Sequence, residues 1–149
     1  MPIALRDRAL RILARREYAR EELSRKLAPF AQSPAELEVL LDELTATHFL
    51  SDQRFAQARL ASRGGRLGNA RLAYELRSRG ISDEIASTAL ATCEDELTRA
   101  RRVWQKRFGE DARIAADGAE RARQMRFLAW RGFSSETIRR LLMTTFQDD

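Results

Sequence analysis

The chain of 149 residues has very little cysteine, histidine or valine. Cys93 and His48 are the only residues of their types. This excludes an internal disulfide and a multi-cysteine zinc site, and it leaves almost no material for a Cys–His nucleophile pair. No apolar run approaches the ~18 residues that span a bilayer, and the N-terminus becomes charged too early for a secretory signal. We therefore expect a cytoplasmic protein with no metal, no cofactor and no membrane association.

Lysine is also scarce, so the positive charge comes almost entirely from arginine. There are 25 Arg and 2 Lys against 22 Asp and Glu, which gives a net charge of +5. The planar guanidinium, with its several donors, suits phosphates and carboxylates. Codon bias in a GC-rich genome also produces this ratio, and the 23 Ala residues agree with such a bias. The Arg to Lys ratio therefore indicates genome composition, and the placement of the arginines is the more informative feature.

The charges are segregated into blocks along the chain. Basic stretches with net charges of +4 to +6 alternate with acidic stretches of −3 to −5, and the C-terminal tail carries −2. Blocks that alternate in sign indicate a repeated unit with one basic and one acidic portion. The basic stretches are 1–32, 54–82, 97–107 and 121–140.

The sequence contains an internal repeat. Residues 70–90 align without a gap on residues 122–142, with eight identities in 21 positions. A weaker third copy lies about 49 residues upstream, where Leu23 and Leu27 precede Phe30 and a Ser-Pro pair. An array of this kind is built from units that each supply one small structural element. We predict three tandem units at 1–50, 51–93 and 94–149.

Each unit is predicted to be helical. Val occurs twice and Ile six times, while Ala, Leu, Arg and Glu dominate, and these four are good helix formers. No segment alternates with a period of two, and the apolar residues recur at helical spacing. The sequence thus predicts an all-α fold of three tandem three-helix repeats with nine helices. The long first helices are expected at about 4–16, 52–63 and 94–108. Core stripes are expected at Leu5, Ala9, Ile12, Leu37, Leu40, Leu41, Leu44, Leu97, Ala100, Trp104, Phe108, Ile138, Leu141 and Leu142.

Glycine and serine mark the helix ends. Gly80 and Gly132 are predicted to take the left-handed conformation that closes a helix, with the next apolar residue packing back on it. Ser82 and Ser134 would then cap the following helices. A third signal, Ser33 followed by Pro, Ala and Glu, predicts a capping box at the start of another helix.

Four stretches of the chain have the pattern of one known protein family. They are Ala9–Tyr18 with the following Glu22-Leu23 and Lys26-Leu27, Phe49–Ala56, Gly68–Ile81 and Arg131–Ser134. With these motifs the chain resembles the RecX family of bacterial regulators of the RecA recombinase, over almost its whole length and in the right order. Asn69 stands where the family usually has Pro, and Arg79 where it usually has Lys.

This resemblance implies an elongated, curved body of three three-helix repeats and a regulator without enzymatic activity. RecX-like proteins bind the RecA–single-stranded-DNA filament along its groove. They inhibit ATP hydrolysis, strand exchange and co-protease activity, and so modulate recombination, DNA repair and the SOS response. We expect a monomer that binds the RecA filament and contacts single-stranded DNA weakly or through the filament.

The basic blocks supply the residues predicted to contact the filament, called here the predicted contact set. A basic potential that recurs along a repeat array would raise the encounter rate with an anionic filament. The other interpretation is that these side chains lie on solvated helix faces and pair with nearby Glu. The predicted contact set is Arg63, Arg66, Arg71, Arg77, Arg79, Arg101, Arg102, Lys106, Arg107, Arg121, Arg123, Arg126 and Arg131.

Five positions in this set carry a further alternative. Arg71 and Arg123 are equivalent in the repeat, as are Arg79 and Arg131, and each pair remains basic in both copies. They flank the helical turns, however, and could instead bond carbonyls at a helix end. Arg66 lies between glycines in the segment 64–68. That segment predicts either a sharp turn or a hinge.

Other classes of function fit less well. A non-sequence-specific DNA- or RNA-binding module is the alternative, because each basic helix pair could lie on phosphates. The helix starts at 82–85 and 134–137 offer Ser, Asp and Glu rather than the Asn, Gln or Arg that read base edges,. The sequence has no phosphate loop, no Gly-x-Ser-x-Gly and no carboxylate pair in an apolar context, so we expect no catalysis.

Overall fold

The computed structural model describes residues 3–109 and 117–147, with side chains up to Met143. Within these ranges the chain forms nine α-helices and no β-strand, which confirms the all-α prediction. Two 3-10 turns, Ala28–Phe30 and Gly64–Arg66, accompany them. The helices are α1 Leu5–Leu13, α2 Arg20–Leu27, α3 Pro34–Ala46, α4 Asp52–Arg63, α5 Asn69–Ser78, α6 Asp83–Ala91, α7 Glu96–Phe108, α8 Gly118–Trp130 and α9 Ser135–Gln147.

The helices group into two compact units. Unit 1 takes in the described residues of Met1–Arg59 and Leu76–Ala89, and unit 2 those of Leu60–Glu75 and Leu90–Asp149. Each unit therefore combines helices from neighbouring sequence repeats. The three repeat boundaries remain a prediction about the sequence.

The core of unit 1 is built from leucines of α2 and α3. The predicted stripe on α3 is buried, with Leu41 and Leu44 fully enclosed. Leu23 and Leu27 of α2 are also fully enclosed and belong to the same cluster as Ala9 of α1. Burial of each such side chain contributes about 1.5–3 kcal/mol. The remaining buried members of the cluster are Tyr18, Leu37, Leu40 and Leu50.

The core of unit 2 combines α7, α8 and α9. Trp104 is 2% exposed, and its indole N–H donates to the Gln124 side-chain oxygen at 2.8 Å. This bond satisfies two polar groups that would otherwise be costly to bury. The predicted stripes of α7 and α9 are confirmed as core except at Leu97 and Phe108, which are partly buried and pack against the cluster. The cluster consists of Ala100, Trp104, Leu128, Phe133, Ile138, Leu141 and Leu142.

The two repeated turns have the predicted geometry. Gly80 and Gly132 have φ angles of 83° and 91°. The Ile81 N–H donates to the Leu76 carbonyl, and the Phe133 N–H donates to the Leu128 carbonyl. In each case the N–H group bonds the carbonyl five residues earlier, which is the hydrogen bond of a Schellman motif at a helix C-terminus. The Ser82 and Ser134 hydroxyls then accept the Ile85 and Thr137 N–H groups at 3.2 and 3.1 Å, so both predicted caps are confirmed.

The first copy of the repeat closes differently. Instead of a glycine turn, the 3-10 turn Ala28–Phe30 follows α2, and Phe30 is 54% exposed although Ile81 and Phe133 are buried. Ser33 caps α3 by accepting the Glu36 N–H at 3.1 Å. The Glu36 carboxylate accepts from the Gln32 N–H at 2.7 Å, one residue before the predicted position. This first copy is the one that matches the other two only weakly in sequence, and its different helix end explains the weak match.

In unit 2, two glycine segments pack backbone against backbone. The Gly68 N–H donates to the Arg131 carbonyl at 2.9 Å. A Cβ at Gly68 would lie 2.2 Å from the carbonyl carbon and oxygen of Gly132. Because these are backbone atoms, they cannot rotate away as a side chain would. The approach of α5 to the end of α8 therefore requires glycine at position 68.

We expect Gly68→Ala to destabilise unit 2 by about 2 kcal/mol, as overpacking does, which lowers Tm by roughly 4–8 °C. Gly64→Ala is the matched control, since a Cβ at Gly64 has nothing within 4 Å. It should leave Tm unchanged or raise it slightly by restricting the unfolded chain. Thermal unfolding followed by circular dichroism measures both variants. Equal Tm values for the two variants would contradict the close approach.

Candidate anion-binding groove

Unit 2 contains a groove lined by five cationic side chains, called here the basic groove. Its volume is about 600 Å³. All five cations belong to the predicted contact set, so the structure brings together five of its thirteen members. Gly65, Val103 and Phe127 complete the lining. The cations of the basic groove are Arg66, Arg102, Lys106, Arg107 and Arg131.

Three structural elements position these cations. Arg102 and Lys106 are four residues apart on α7 and project from one face of the helix,. Arg107, four residues after the lining residue Val103, projects from the adjoining face,. Arg66 ends the 3-10 turn Gly64–Arg66. Arg131 is the C-cap of α8. The groove is thus formed by residues that are distant in sequence and fixed by regular structure.

An aromatic ring lies among the cations. The guanidinium carbons of Arg107 and Arg131 lie 5.5 and 5.2 Å from the centroid of the Phe127 ring. Phe108 packs edge-on against Phe127 at a centroid distance of 5.3 Å. Cation–π contacts at this range restrict the guanidinium groups without neutralising them. The two arginines are therefore held in position with their charge still available.

The electrostatics of the basic groove favour an anion. No carboxylate is among the described residues that line it, and the structure records an ion pair for one of its cations, Arg102 with Glu94. Like charges brought together raise the local positive potential. Guanidinium groups bind phosphates and carboxylates through short, charge-assisted hydrogen bonds. The groove is therefore suited to a ligand that carries several phosphates or carboxylates.

Arg99 is a buried residue that holds the backbone next to the basic groove. It is not in the predicted contact set, and its role was not predicted from the sequence. The residue is 2% exposed. Its guanidinium donates to the Leu67 carbonyl at 2.7 Å, to the Gly64 carbonyl at 3.4 Å and to the side-chain oxygen of Asn69. These bonds fix the glycine segment that carries Arg66. The sequence predicts either a sharp turn or a hinge for the segment 64–68. In the structure it is a sharp turn, and Arg99 of α7 bonds it.

One sequence signal could have revealed this arrangement. Asn69 replaces the proline that is usual in the family, and it makes two bonds that proline could not. Its side chain accepts from Arg99, and its N–H donates to the Glu96 carboxylate at 2.9 Å. The departure at position 69 thus marks a local hydrogen-bond network of this chain.

Glu96 joins the starts of two helices. Besides the Asn69 N–H, its carboxylate accepts the Ser134 N–H at 3.0 Å. Partial burial alone would raise the pKa of Glu96. The bonds from Ser134 and Asn69 outweigh it, however, and hold the pKa below its usual range,. The ionised form is therefore favoured in the folded protein.

We expect Glu96→Gln to lower the free energy of unfolding of unit 2 at neutral pH. The stability of the variant should also decrease less than that of the wild type as the pH falls. Because the folded pKa of Glu96 is depressed, its contribution is present above the ordinary Glu pKa of about 4.3 and is lost as the pH falls through the folded value. Urea unfolding of both proteins from pH 7 to pH 3 measures this, and the two midpoints should converge at the acid end. Glu136→Gln, an exposed change on α9, serves as the control. A constant gap between wild type and Glu96→Gln at all pH values would contradict the assignment.

Several other members of the predicted contact set are engaged in ion pairs. Arg63 forms a two-point pair with Glu75 at 2.9 and 3.0 Å, and Arg123 forms one with Glu120 at 2.9 Å. In unit 1, Arg79 bonds Glu22 at 2.8 Å, and Arg77 lies 4.0 Å from Asp83. All four arginines are more than 40% exposed, so their guanidinium groups can also reach other anions, although the partners Glu75 and Glu22 are mostly buried.

Arg71 bonds a carbonyl at a helix end, which is the alternative role that its position in the repeat indicated. Its guanidinium donates to the carbonyl of Trp130, the last residue of α8, at 3.3 Å, and its Cζ lies 5.4 Å from the Trp130 ring centroid. The Arg71 Cβ also lies so close to Gly132 that a Cβ at position 132 would be 2.3 Å from it. Three further members of the set, Arg101, Arg121 and Arg126, are exposed on α7 and α8.

Two other kinds of site are not seen in the part of the chain that the structure describes. Within residues 3–109 and 117–147, no helix combines the length and apolar character needed to cross a bilayer. The same ranges contain no group of three His, Cys, Asp or Glu side chains placed to hold a metal ion.

Comparison with known proteins agrees with the fold and the repeat. Family models described as the second and the third three-helix domain of RecX match residues 51–90 and 94–142. The crystal structure of RecX from Lactobacillus salivarius superposes with a TM-score of 0.81, covering 95% of this chain and 94% of that one. At 20% identity this likeness shows the fold alone.

Closer relatives are similar over nearly their whole length. The regulatory protein RecX of Chromobacterium violaceum is 48% identical over 146 residues, which cover 98% of this chain and 93% of the relative. The protein of the same name from Herminiimonas arsenicoxydans is 44% identical and covers 93% of this chain and 90% of the relative. The matched family models together span more than half of the chain. The chain thus belongs to the RecX family of regulatory proteins.

Proposed function

We propose that the protein binds the RecA–single-stranded-DNA filament and inhibits RecA, lowering its ATP hydrolysis, strand exchange and co-protease activities. It would thereby modulate recombination, DNA repair and the SOS response. In this proposal the protein is a monomeric cytoplasmic modulator without catalytic activity. Family membership supports regulation in general, and the basic groove supports an anionic partner.

The convergence of Arg66, Arg102, Lys106, Arg107 and Arg131 in one groove is the observation that carries the proposal. A nucleoprotein filament presents a strongly negative, repeating surface, and a concentrated positive potential would raise the rate of encounter with it. A charge cluster that has no carboxylate among its described lining residues favours a ligand with several anionic groups over a neutral one.

Within the predicted contact set, the basic groove is proposed as the primary contact. The ion-paired residues Arg63, Arg77, Arg79 and Arg123 would contribute less, because binding must first exchange their existing partners, and the same holds within the groove for Arg102, which pairs with Glu94. Arg71 would act through the fold, since it bonds a helix end. Arg101, Arg121 and Arg126 would add long-range attraction from the exposed surface.

We expect the purified protein to inhibit the DNA-dependent ATPase of the cognate RecA at well below equimolar amounts. A modulator that binds along a filament can affect many subunits at once, so inhibition should be substoichiometric. The measurement is steady-state ATP hydrolysis on preformed filaments over a titration. No inhibition up to equimolar protein would overturn the proposal.

The alternative function is non-sequence-specific binding of DNA or RNA through charge alone. Binding measured in parallel on bare single-stranded DNA and on the RecA filament, across a salt series, separates the two. Charge attraction to nucleic acid falls steeply with salt. A preference for the filament that survives moderate salt supports recognition of the partner, and equal affinities that fall together support the alternative.

A further inference from the structure

Unit 1 carries a second cationic pocket that the predicted contact set does not include. Its volume is about 370 Å³, within the range of small-ligand sites. It lies between α1 and the end of α2, in a region that neither matched RecX domain model covers. We call it the N-terminal pocket, and the lining residues that matter here are Arg8, Arg11, Arg15, Tyr18, Lys26 and Phe30.

The N-terminal pocket combines cations with aromatic rings. Arg8, Arg11 and Arg15 project from one side of α1 and the turn after it, because they are spaced three and four residues apart. Lys26 reaches the Tyr18 hydroxyl at 3.3 Å. No carboxylate is among the lining residues that the structure describes. The pocket thus has four positive charges above a partly apolar floor.

Phe30 is the distinctive element of this pocket. Its equivalents in the other two copies, Ile81 and Phe133, are buried, whereas Phe30 is 54% exposed. The guanidinium carbon of Arg8 lies 3.7 Å from the centroid of its ring. Arg8 therefore covers the ring on one side, and the exposed area leaves room for a second planar group to stack.

Arg8 also has an unused donor. Its Nε atom is buried and has no hydrogen-bond partner in the described structure, although a buried donor without a partner costs about 1–3 kcal/mol. Because this atom is buried, an acceptor that enters beside the Phe30 ring reaches it only if the Arg8 side chain turns toward the ligand, and that movement would relieve the cost. A phosphate oxygen or a ring carbonyl of a base is such an acceptor.

We infer that the N-terminal pocket binds a single strand of nucleic acid, with one unpaired base stacked on Phe30 and the adjoining phosphates held by Arg8, Arg11, Arg15 and Lys26. A peptide of Asp and Glu alone would use the cations but would offer no aromatic ring to stack on Phe30. A duplex would keep its bases paired and out of the pocket. Base–aromatic stacking together with a cationic rim is how proteins hold single strands without reading sequence.

This inference goes beyond the proposed function and does not depend on it. It concerns a different unit of the chain and a ligand that can be tested without RecA. Failure of the test below would leave filament binding untouched, and failure of RecA inhibition would leave the N-terminal pocket untouched.

The first test uses Phe30→Ala and a fluorescein-labelled oligothymidylate, with binding followed by fluorescence anisotropy. We expect the affinity to fall at least fivefold, roughly the lower limit for loss of one base–aromatic stack. Phe49→Ala is the matched control, because Phe49 is also in unit 1, is 49% exposed and does not line the pocket. Equal affinities for the two variants would overturn the inference. If Phe30→Ala lost helical circular dichroism, Phe30→Leu would take its place, since leucine keeps the apolar bulk but not the ring.

The second test concerns the phosphates. The double variant Arg11→Gln, Arg15→Gln should reduce the slope of log affinity against log salt by roughly 1.4, since each single-strand phosphate contact contributes about 0.7. The control Arg6→Gln, Arg25→Gln removes the same charge from unit 1, at residues paired with Glu43 and Glu21 outside the pocket. An equal change of slope in both doubles would show that net charge alone is responsible, and the inference would fail.

A third measurement separates a nucleic acid from an acidic peptide. An oligonucleotide carrying 2-aminopurine should change its fluorescence when that base leaves its neighbours and stacks on Phe30, and Phe30→Ala should abolish the change. If polyglutamate displaced the oligonucleotide equally from the wild type and from Phe30→Ala, with no fluorescence change in either, the pocket would be a general carboxylate site and the inference would be wrong.

Discussion

The double variant Arg66→Glu, Arg107→Glu is expected to bind the RecA–single-stranded-DNA filament about 100-fold more weakly than the wild type. Both residues line the basic groove, and reversal places carboxylates opposite an anionic partner. Like charges across an interface cost several kcal/mol, and about 3 kcal/mol corresponds to this factor. The measurement is binding to preformed filaments at fixed moderate salt, with ATPase inhibition as a second readout.

The matched control is Arg139→Glu, Arg140→Glu. These residues are exposed on α9 of the same unit and lie outside both the basic groove and the predicted contact set. The control changes the net charge equally, so it should lose only the long-range part of the attraction. If both doubles lost the same affinity, the groove would have no special role and the charge of the whole chain would explain binding.

Arg99→Lys is expected to lower the free energy of unfolding of unit 2 by about 3–5 kcal/mol. The lysine keeps the charge, but one ammonium group cannot reproduce the planar fork that reaches the Leu67 and Gly64 carbonyls and the Asn69 side chain,. Each buried acceptor left without a donor costs about 1–3 kcal/mol. Urea unfolding followed by tryptophan fluorescence reports on this unit, because both tryptophans, Trp104 and Trp130, belong to it.

Arg101→Lys provides the comparison for this stability experiment. It makes the same chemical change two residues further along α7, at an exposed position, and should alter stability by less than about 0.5 kcal/mol. A similar loss in both variants would mean that α7 as a whole is sensitive to lysine. Only a selective loss at Arg99 agrees with a buried hydrogen-bond centre.

The helices and their ends could be predicted because their signals are local. Gly80 and Gly132 are followed by Ile81 and Phe133, and the left-handed glycine and the returning apolar residue depend on a few adjacent positions. The α3 leucines follow the helical period and are buried as expected. Helix α4 begins and ends where predicted, whereas α1 ends at Leu13 rather than near residue 16.

The roles of individual arginines could not be predicted in the same way. Arg99, Arg101 and Arg102 are almost adjacent in sequence, yet one is buried, one is exposed and one lines the groove. Helical rotation separates them, and only tertiary packing decides which face is enclosed. The repeat alignment likewise made Arg71 and Arg123 equivalent, although one bonds a helix end and the other bonds Glu120.

The N-terminal pocket could not be predicted, for a related reason. Its arginines belong to the basic stretch 1–32, but the net charge of a stretch does not show which side chains converge. Phe30 corresponds in the repeat to two buried residues, and its exposure follows from the 3-10 turn that replaces a glycine turn. The sequence places Phe30 just before the helix that Ser33 caps, but it does not show whether the ring of Phe30 is buried or exposed.

The anchored glycine segment has a consequence for the thermodynamics of association. Segments with several glycines usually lose much conformational entropy when a ligand orders them. Here the hydrogen bonds from Arg99 and the bond from the Gly68 N–H to the Arg131 carbonyl already order the segment that carries Arg66. The conformational entropy of this backbone is therefore lost during folding, and an anion that reaches the groove does not have to order the segment that carries Arg66. Affinity gained in this way should appear as slow dissociation.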